Sequence, residues 1–215
     1  MLSTRSAAAT TLGAAEMVYG WPVSITEGAL GLRPLRHRDE GAWHDIRARN
    51  AAWLQRWEAT SPELAGPPLR FSQLVRHYRS EGRAGRMLPW VITWDDQIVG
   101  QLTVGSIQWG SLRCAQMGYW IAESYAGRGI VPTAVAVGTD YCLRTLGLHR
   151  MEINIRPENA ASLRVVAKLG FRDEGTRVRY LHIDGAWRDH RTFALTTEDL
   201  SEPLLARWRA SRRTA

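Results

Sequence analysis

Lysine is all but missing from this chain of 215 residues: Lys and Arg together number 28, and Lys168 is the only lysine. The net charge of +7 is therefore an arginine charge. It reads as GC-rich coding, and it leaves a positive field suited to RNA-rich or acidic partners. Cysteine is equally scarce. Cys114 and Cys142 are too few for a disulfide framework, and they fit a reduced cytoplasmic protein in which both are buried thiols. No run of about 18 apolar residues is present to cross a membrane. Residues 1–24, rich in Ala, Ser and Thr, lack the charged start and apolar centre of a secretory signal. They read as a flexible tail, shorter if translation starts at Met17. Acidic runs and internal repeats are absent, and no metal is expected.

Against these absences stands a hydrophobic content of 45%, enough for one domain with a proper core. The most informative stretch is 117–133. Met117 to Ala122 is apolar and aromatic, as a buried strand should be. Gly127 and Gly129 permit a tight loop with close backbone approach. Pro132 suits the first turn of a following helix, where its missing N–H costs nothing. That helix start offers free N–H groups and a partial positive charge, a seat for an anionic phosphate, and Arg128 adds a full charge. Neither Gly-x-x-x-x-Gly-Lys-Ser/Thr nor Gly-x-Gly-x-x-Gly occurs there, which argues against a nucleoside triphosphate or a dinucleotide.

The rest of the chain reads as alternating strands and helices. Leu30 to Leu35 is a short strand whose Pro34 suggests an edge or an end. A helix is expected from Asp39 to about Trp57 and another from Phe71 to Ser80, with a break at Gly66-Pro67-Pro68 between them. Strands are expected at Leu88–Trp94, Ile98–Ser106, Leu112–Ala122 and Arg150–Arg156. Helices follow at Val131–Leu146, ending at Gly147, and at Asn159–Leu169, with Asn159 as N-cap and Gly170 as stop. Two last strands flank the hairpin turn Asp184-Gly185. This order is that of a mixed-sheet α/β domain. Residues 201–215 read as a basic tail, whose Arg207-Trp208-Arg209 and Arg212-Arg213 could contact phosphate.

Four segments, in order, resemble the GNAT N-acetyltransferases, and within them the RimJ/RimL group that acetylates ribosomal-protein N-termini. The loop Ala126-Gly127-Arg128-Gly129-Ile130-Val131 is similar to Gln/Arg-x-x-Gly-x-Gly/Ala, departing at Ala126 and Val131 in a loop that binds through its backbone. Asn159 and Ser162 with Leu169-Gly170-Phe171 match Asn-x-x-Ser…Leu-Gly-Phe. Asn50 to Glu58 matches Asn-x-x-Trp/Tyr-Leu-x-x-Trp-Glu, and Tyr180 to Asp189 matches Tyr-x-x-x-Asp-Gly-x-x-x-Asp. The resemblance spans roughly 29–198. It implies the GNAT fold in a single domain, placed at 25–200, with two central parallel strands splayed apart.

The resemblance also implies acetyl-CoA as the donor. Gly127 to Thr133 would hold its diphosphate, with Thr133 adding a hydroxyl and Lys168 a further charge. The backbone of Tyr119, Trp120 and Ile121 would grip the pantetheine arm. Asn159 would bind that arm, and Ser162 would protonate or stabilise the leaving thiolate, since Val166 stands where many relatives carry a tyrosine. No inherited base is intact: Asn154 and Arg179 occupy positions where relatives have Glu. Glu152, Glu58 and Glu123 are the candidates. The strand Met151 to Arg156 alternates, and its face of Glu152, Asn154 and Arg156 suggests a cleft. Trp57 and Glu58, with Asn154, are the expected acceptor side, and Trp53, Trp90, Trp94 and Trp109 are candidate wall residues.

Three functions compete. The first is acetylation of a protein N-terminus, that of a ribosomal protein. The second is acetylation of a small amine such as an antibiotic or polyamine. The third is a CoA-binding partner in ribosome assembly that meets rRNA through its basic surface.

Overall fold

The computed structural model describes residues 21–63 and 69–213. The expected break at 66–68, most of the expected N-terminal tail and the alternative start at Met17 lie outside the described residues.

One eight-stranded sheet organises the chain. Its strands are β1 (Ile25–Glu27), β2 (Leu30–Pro34), β3 (Leu88–Trp94), β4 (Gln97–Gln108), β5 (Cys114–Ile121), β6 (Arg150–Ile155), β7 (Arg172–Ile183) and β8 (Ala186–Thr196). They lie in the order β1-β2-β3-β4-β5-β6-β8-β7. All neighbours are antiparallel except β5 and β6. Period-2 alternation divides β3 between two cores: Trp90 and Ile92 face one side, Val91 the other. Pro34 fits a strand interior to the sheet because β1 is too short to reach it, pairing only with Leu30 to Leu32.

The helices are α1 (Glu40–Arg49), α2 (Ala51–Gln55), α3 (Phe71–Arg83), α4 (Ile130–Asp140), α5 (Ala160–Leu169) and α6 (Leu204–Arg213). α1 and α3 build the smaller core with Trp43, Ile46, Phe71 and Val75. α4, α5 and α6 cover the opposite face of the sheet. α4 runs into a single π-helical stretch, Tyr141–Thr145, before the chain turns at Gly147.

Three expectations need correction. The single helix from Asp39 to Trp57 is two, because Asn50 leaves helical geometry between α1 and α2. Residues 21–24 are no loose tail: Trp21 is buried against Trp90, and Val23 accepts a hydrogen bond from Trp90 Nε1 at 3.0 Å. The basic tail is a docked helix, α6, with Leu204 and Trp208 buried. Alternation of Arg with Leu and Trp over 204–213 is an amphipathic helix pattern, and the apolar stripe decides where it lies.

Candidate active site

β5 and β6 are paired for only three residues, Cys114–Arg150, Ala115–Met151 and Gln116–Glu152. β5 then continues along β4 as far as Ile121, while β6 follows β8. The strands part beyond Gln116, and the backbone of β5 that would have bonded β6 is left facing a gap. That gap opens into a cavity of about 1300 Å³ lined by Gly118 to Ile121, the 126–132 loop, the start of α5 and the indoles of α1 and α2.

At one end of the cavity the 126–132 loop turns into α4. Gly127 (φ +76°) and Gly129 (φ +81°) occupy the left-handed region that favours glycine. Gly129 is the N-cap and carries no side chain to bond the first turn. The N–H groups of Ile130 and Val131 are therefore available to an anion, and the helix dipole favours one. Lys168 and Arg164 of α5 line the same cavity. Arg128 stacks on Tyr125, 5.0 Å from its ring centre, outside the cavity wall. Thr133 does not offer the hydroxyl expected of it. Its Oγ1 donates to Gly129 O at 2.8 Å and accepts from Trp208 Nε1 at 3.0 Å, so it fastens α6 to the loop.

Midway along the cavity, Asn159 and Ser162 meet β5. The Asn159 side chain accepts from Ser162 N at 3.0 Å, capping α5 and fixing the Ser162 position. Across from it the Tyr119 hydroxyl is buried without a hydrogen-bond partner. Burial drives this phenol well above the ordinary tyrosine range, opposed only by the nearby Ser162 hydroxyl, which falls short of a hydrogen bond. Tyr119 and Trp120 line the cavity, whereas the carbonyl of Ile121 is taken by Trp53 Nε1 at 3.1 Å.

The far end is built by α1 and α2. Buried Asn50 donates to Ile46 O at 2.8 Å and accepts from Glu123 N at 2.9 Å, so the break between the helices is tied to the end of β5. Beside it Glu58 is held by both guanidinium nitrogens of Arg47, one at 2.8 Å. Arg47 lies over the Trp120 ring at 5.2 Å, and Trp120 meets Trp43 edge-on at 5.8 Å. Trp57 is flanked by Arg56 at 5.1 Å and Arg156 at 5.5 Å. Of the candidate tryptophans, Trp53 and Trp57 line the cavity, Trp90 is core, and Trp94 and Trp109 lie outside the lining. Trp43 and Arg47 were missed, although their i, i+4 spacing on α1 puts both on one face.

Of the expected polar face of β6, Arg156, just past the strand, lines the cavity, whereas Glu152 and Asn154 do not. Glu152 is buried, with Arg150 Nε at 2.9 Å and Arg177 Nη2 at 3.0 Å on its two oxygens. Asn154 accepts from Thr192 Oγ1 at 2.8 Å on β8. Alternation put these residues on one face, but Arg177 of β7 covers Glu152 and Thr192 of β8 covers Asn154, so only Arg156 reaches the cleft. Glu123 is exposed and also outside the cavity.

A parallel strand pair forced apart beside an uncapped, glycine-turned helix start is the architecture of an acyl-CoA-dependent transferase. Residues 29–172 match the family described as the acetyltransferase (GNAT) domain, and the chain belongs to that family. Its nearest character within the family is RimJ/RimL-like. It is 31% identical over 183 residues to the ribosomal protein uS5-alanine N-acetyltransferase of Escherichia coli (strain K12), covering 82% of this chain and 92% of that one. It is 41% identical to Mycobacterium smegmatis RimJ in complex with CoA-disulfide, with a TM-score of 0.83 over 90% of this chain and 97% of that chain. The ribosomal-protein-S5-alanine acetyltransferase from Vibrio fischeri superposes with a TM-score of 0.72 at 25% identity, covering 84% of this chain and 100% of that one. The donor is accordingly acetyl-CoA, and the open loop and parted strands fit it.

Proposed function

We propose that the protein transfers acetyl from acetyl-CoA to the α-amine of a protein N-terminus, that of a ribosomal protein in the cytoplasm. The single observation carrying this reading is the state of the carboxylates in the cavity. Glu58 is paired with Arg47, Glu158 with Arg156, and Asp184 accepts from Gln55. A polyamine or aminoglycoside needs several uncompensated anions, and this cavity offers arginine instead. One terminal amine, leading a chain that lies over Trp57, needs none.

Acetyl-CoA supplies the activated acyl group. The free β5 backbone would orient it and the α4 start would hold its phosphates. As the neutral amine forms the C–N bond and the C–S bond breaks, the Ser162 hydroxyl would give a proton to the departing sulfur and regain one from the proton the amine sheds. With Glu58 neutralised by Arg47, no strong base stands at the acceptor end. That suits an α-amine of pKa about 7.7–8, of which roughly a tenth is neutral near pH 7, far better than a lysine of about 10.4.

The test is acetyl-CoA with peptides bearing free α-amines, peptides with lysine only, and spermidine, read by mass spectrometry. Product on the α-amine is expected, with kcat/KM rising between about pH 7 and 8.5 as the amine deprotonates. Ser162→Ala should lower kcat by roughly 100-fold or more while leaving CoA affinity nearly unchanged. Product on lysine or spermidine alone would refute the reading.

A further inference from the structure

We propose that Arg212, brought by the C-terminal helix, is a further binding residue for the diphosphate of the acyl donor. The inference rests on acetyl-CoA as donor and adds a contact from outside the loop and α5.

α6 runs antiparallel to α4 and is fastened at both ends. The N–H groups of Leu204 and Leu205 donate to the carboxylate of Asp140, the last residue of α4, at 2.7 and 2.9 Å. Trp208 Nε1 donates to Thr133 Oγ1 in the first turn of α4 at 3.0 Å. Leu204, Trp208 and Arg212 follow at i, i+4 and i+8, so they form one stripe on α6. The first two are buried. The third ends the stripe at the phosphate loop, where a Cβ added to Gly129 would lie 3.6 Å from both Cζ and Nη1 of Arg212.

The charge at that point is out of balance. Arg209, on the same helix, is paired with Glu27, and Arg207 donates to the carbonyls of Asp199 and Leu169. Among the described residues Arg212 has no carboxylate partner and rests only on the Trp208 ring, 5.7 Å away. It stands beside the positive pole of α4, whose first-turn N–H groups lack a side-chain cap. A guanidinium next to a helix N-terminus is repelled unless an anion lies between them, and a diphosphate bridging the two satisfies both. Trp208 and Thr133 hold α6 in place, so the charge is presented before the donor arrives.

Calorimetric titration of the full chain with CoA, dephospho-CoA and pantetheine tests this, on wild type, Arg212→Gln and the charge-matched control Arg209→Gln. Arg212→Gln is expected to weaken CoA and dephospho-CoA by the same factor, about tenfold, with pantetheine unchanged and the thermal midpoint of the free protein unmoved. Arg209→Gln should stay within about twofold of wild type. Unchanged CoA binding in Arg212→Gln overturns the proposal, as does a loss of pantetheine binding, or an equal loss in both variants. A loss confined to CoA also overturns it, placing Arg212 at the 3′-phosphate. Failure of the wild type to bind CoA would instead remove the donor reading itself.

Discussion

Tyr119 and Ser162 show how much of a site depends on single atoms. Both positions lie in segments that resemble the family, a resemblance that implies a backbone contact at Tyr119 and a hydroxyl role at Ser162 and is silent on the phenol. The phenol proves to be a buried polar group without a partner. Tyr119→Phe removes it and keeps the ring, and is expected to raise unfolding stability by about 1 kcal/mol in urea titration, since an unsatisfied buried hydroxyl is a cost. A loss of stability would mean that the hydroxyl is bonded in solution. Thr133 is the opposite case. A hydroxyl in the first turn of a phosphate-binding helix invites a ligand role, but Trp208, 75 residues away in the chain, claims it. No local pattern could reveal that.

At the scale of elements, strand positions and helix caps were largely legible. Asn159 and Gly170 bracket α5 as capping chemistry requires, and Asp184-Gly185 turns the β7–β8 hairpin. What β6 faces was not legible, because the alternation of Glu152 and Asn154 states only that one side is polar. The pairing of β8 against β6 and β7 against β8 supplies Arg177 and Thr192 to that side. The same hairpin buries His190, whose Nδ1 donates to Arg188 O at 3.0 Å beside the Tyr180 ring. Burial lowers its pKa below the ordinary 6.5, aided by Arg156 and opposed first by the hydrogen bond to the Arg188 carbonyl and then by Glu158 and Asp189. In the unfolded chain the imidazole titrates near 6.5, so on acidification the unfolded state takes up the proton first. Stability from this residue is full above about pH 6.5 and is lost as pH falls toward the lowered folded value. His190→Gln should flatten the fall in thermal midpoint between about pH 7 and 5.5. Parallel curves for the two proteins would refute the assignment.

For the molecule as a whole, α6 joins the two ends of α4 and closes the larger core. A chain ending at Pro203 loses the buried Leu204 and Trp208, and is expected to lose about 4 kcal/mol in urea unfolding and to show a lower thermal midpoint. A truncated protein as stable as the full chain would return residues 204–213 to the status of a tail. Among the described residues no helix is long and apolar enough to cross a membrane.

Local order carries the family, the loop, the cap at Asn159 and the identity of the strands, because glycine conformation, proline placement and side-chain period act within a few residues. The parting of β5 from β6, the neutralising of Glu58 by Arg47, the burial of Glu152 beneath arginines and the arrival of α6 over Gly129 join residues up to 83 positions apart. Such contacts arise only when the sheet is assembled and the helices are packed upon it. The donor end of the site is therefore written in short motifs, while the charge and shape of the acceptor end come from packing.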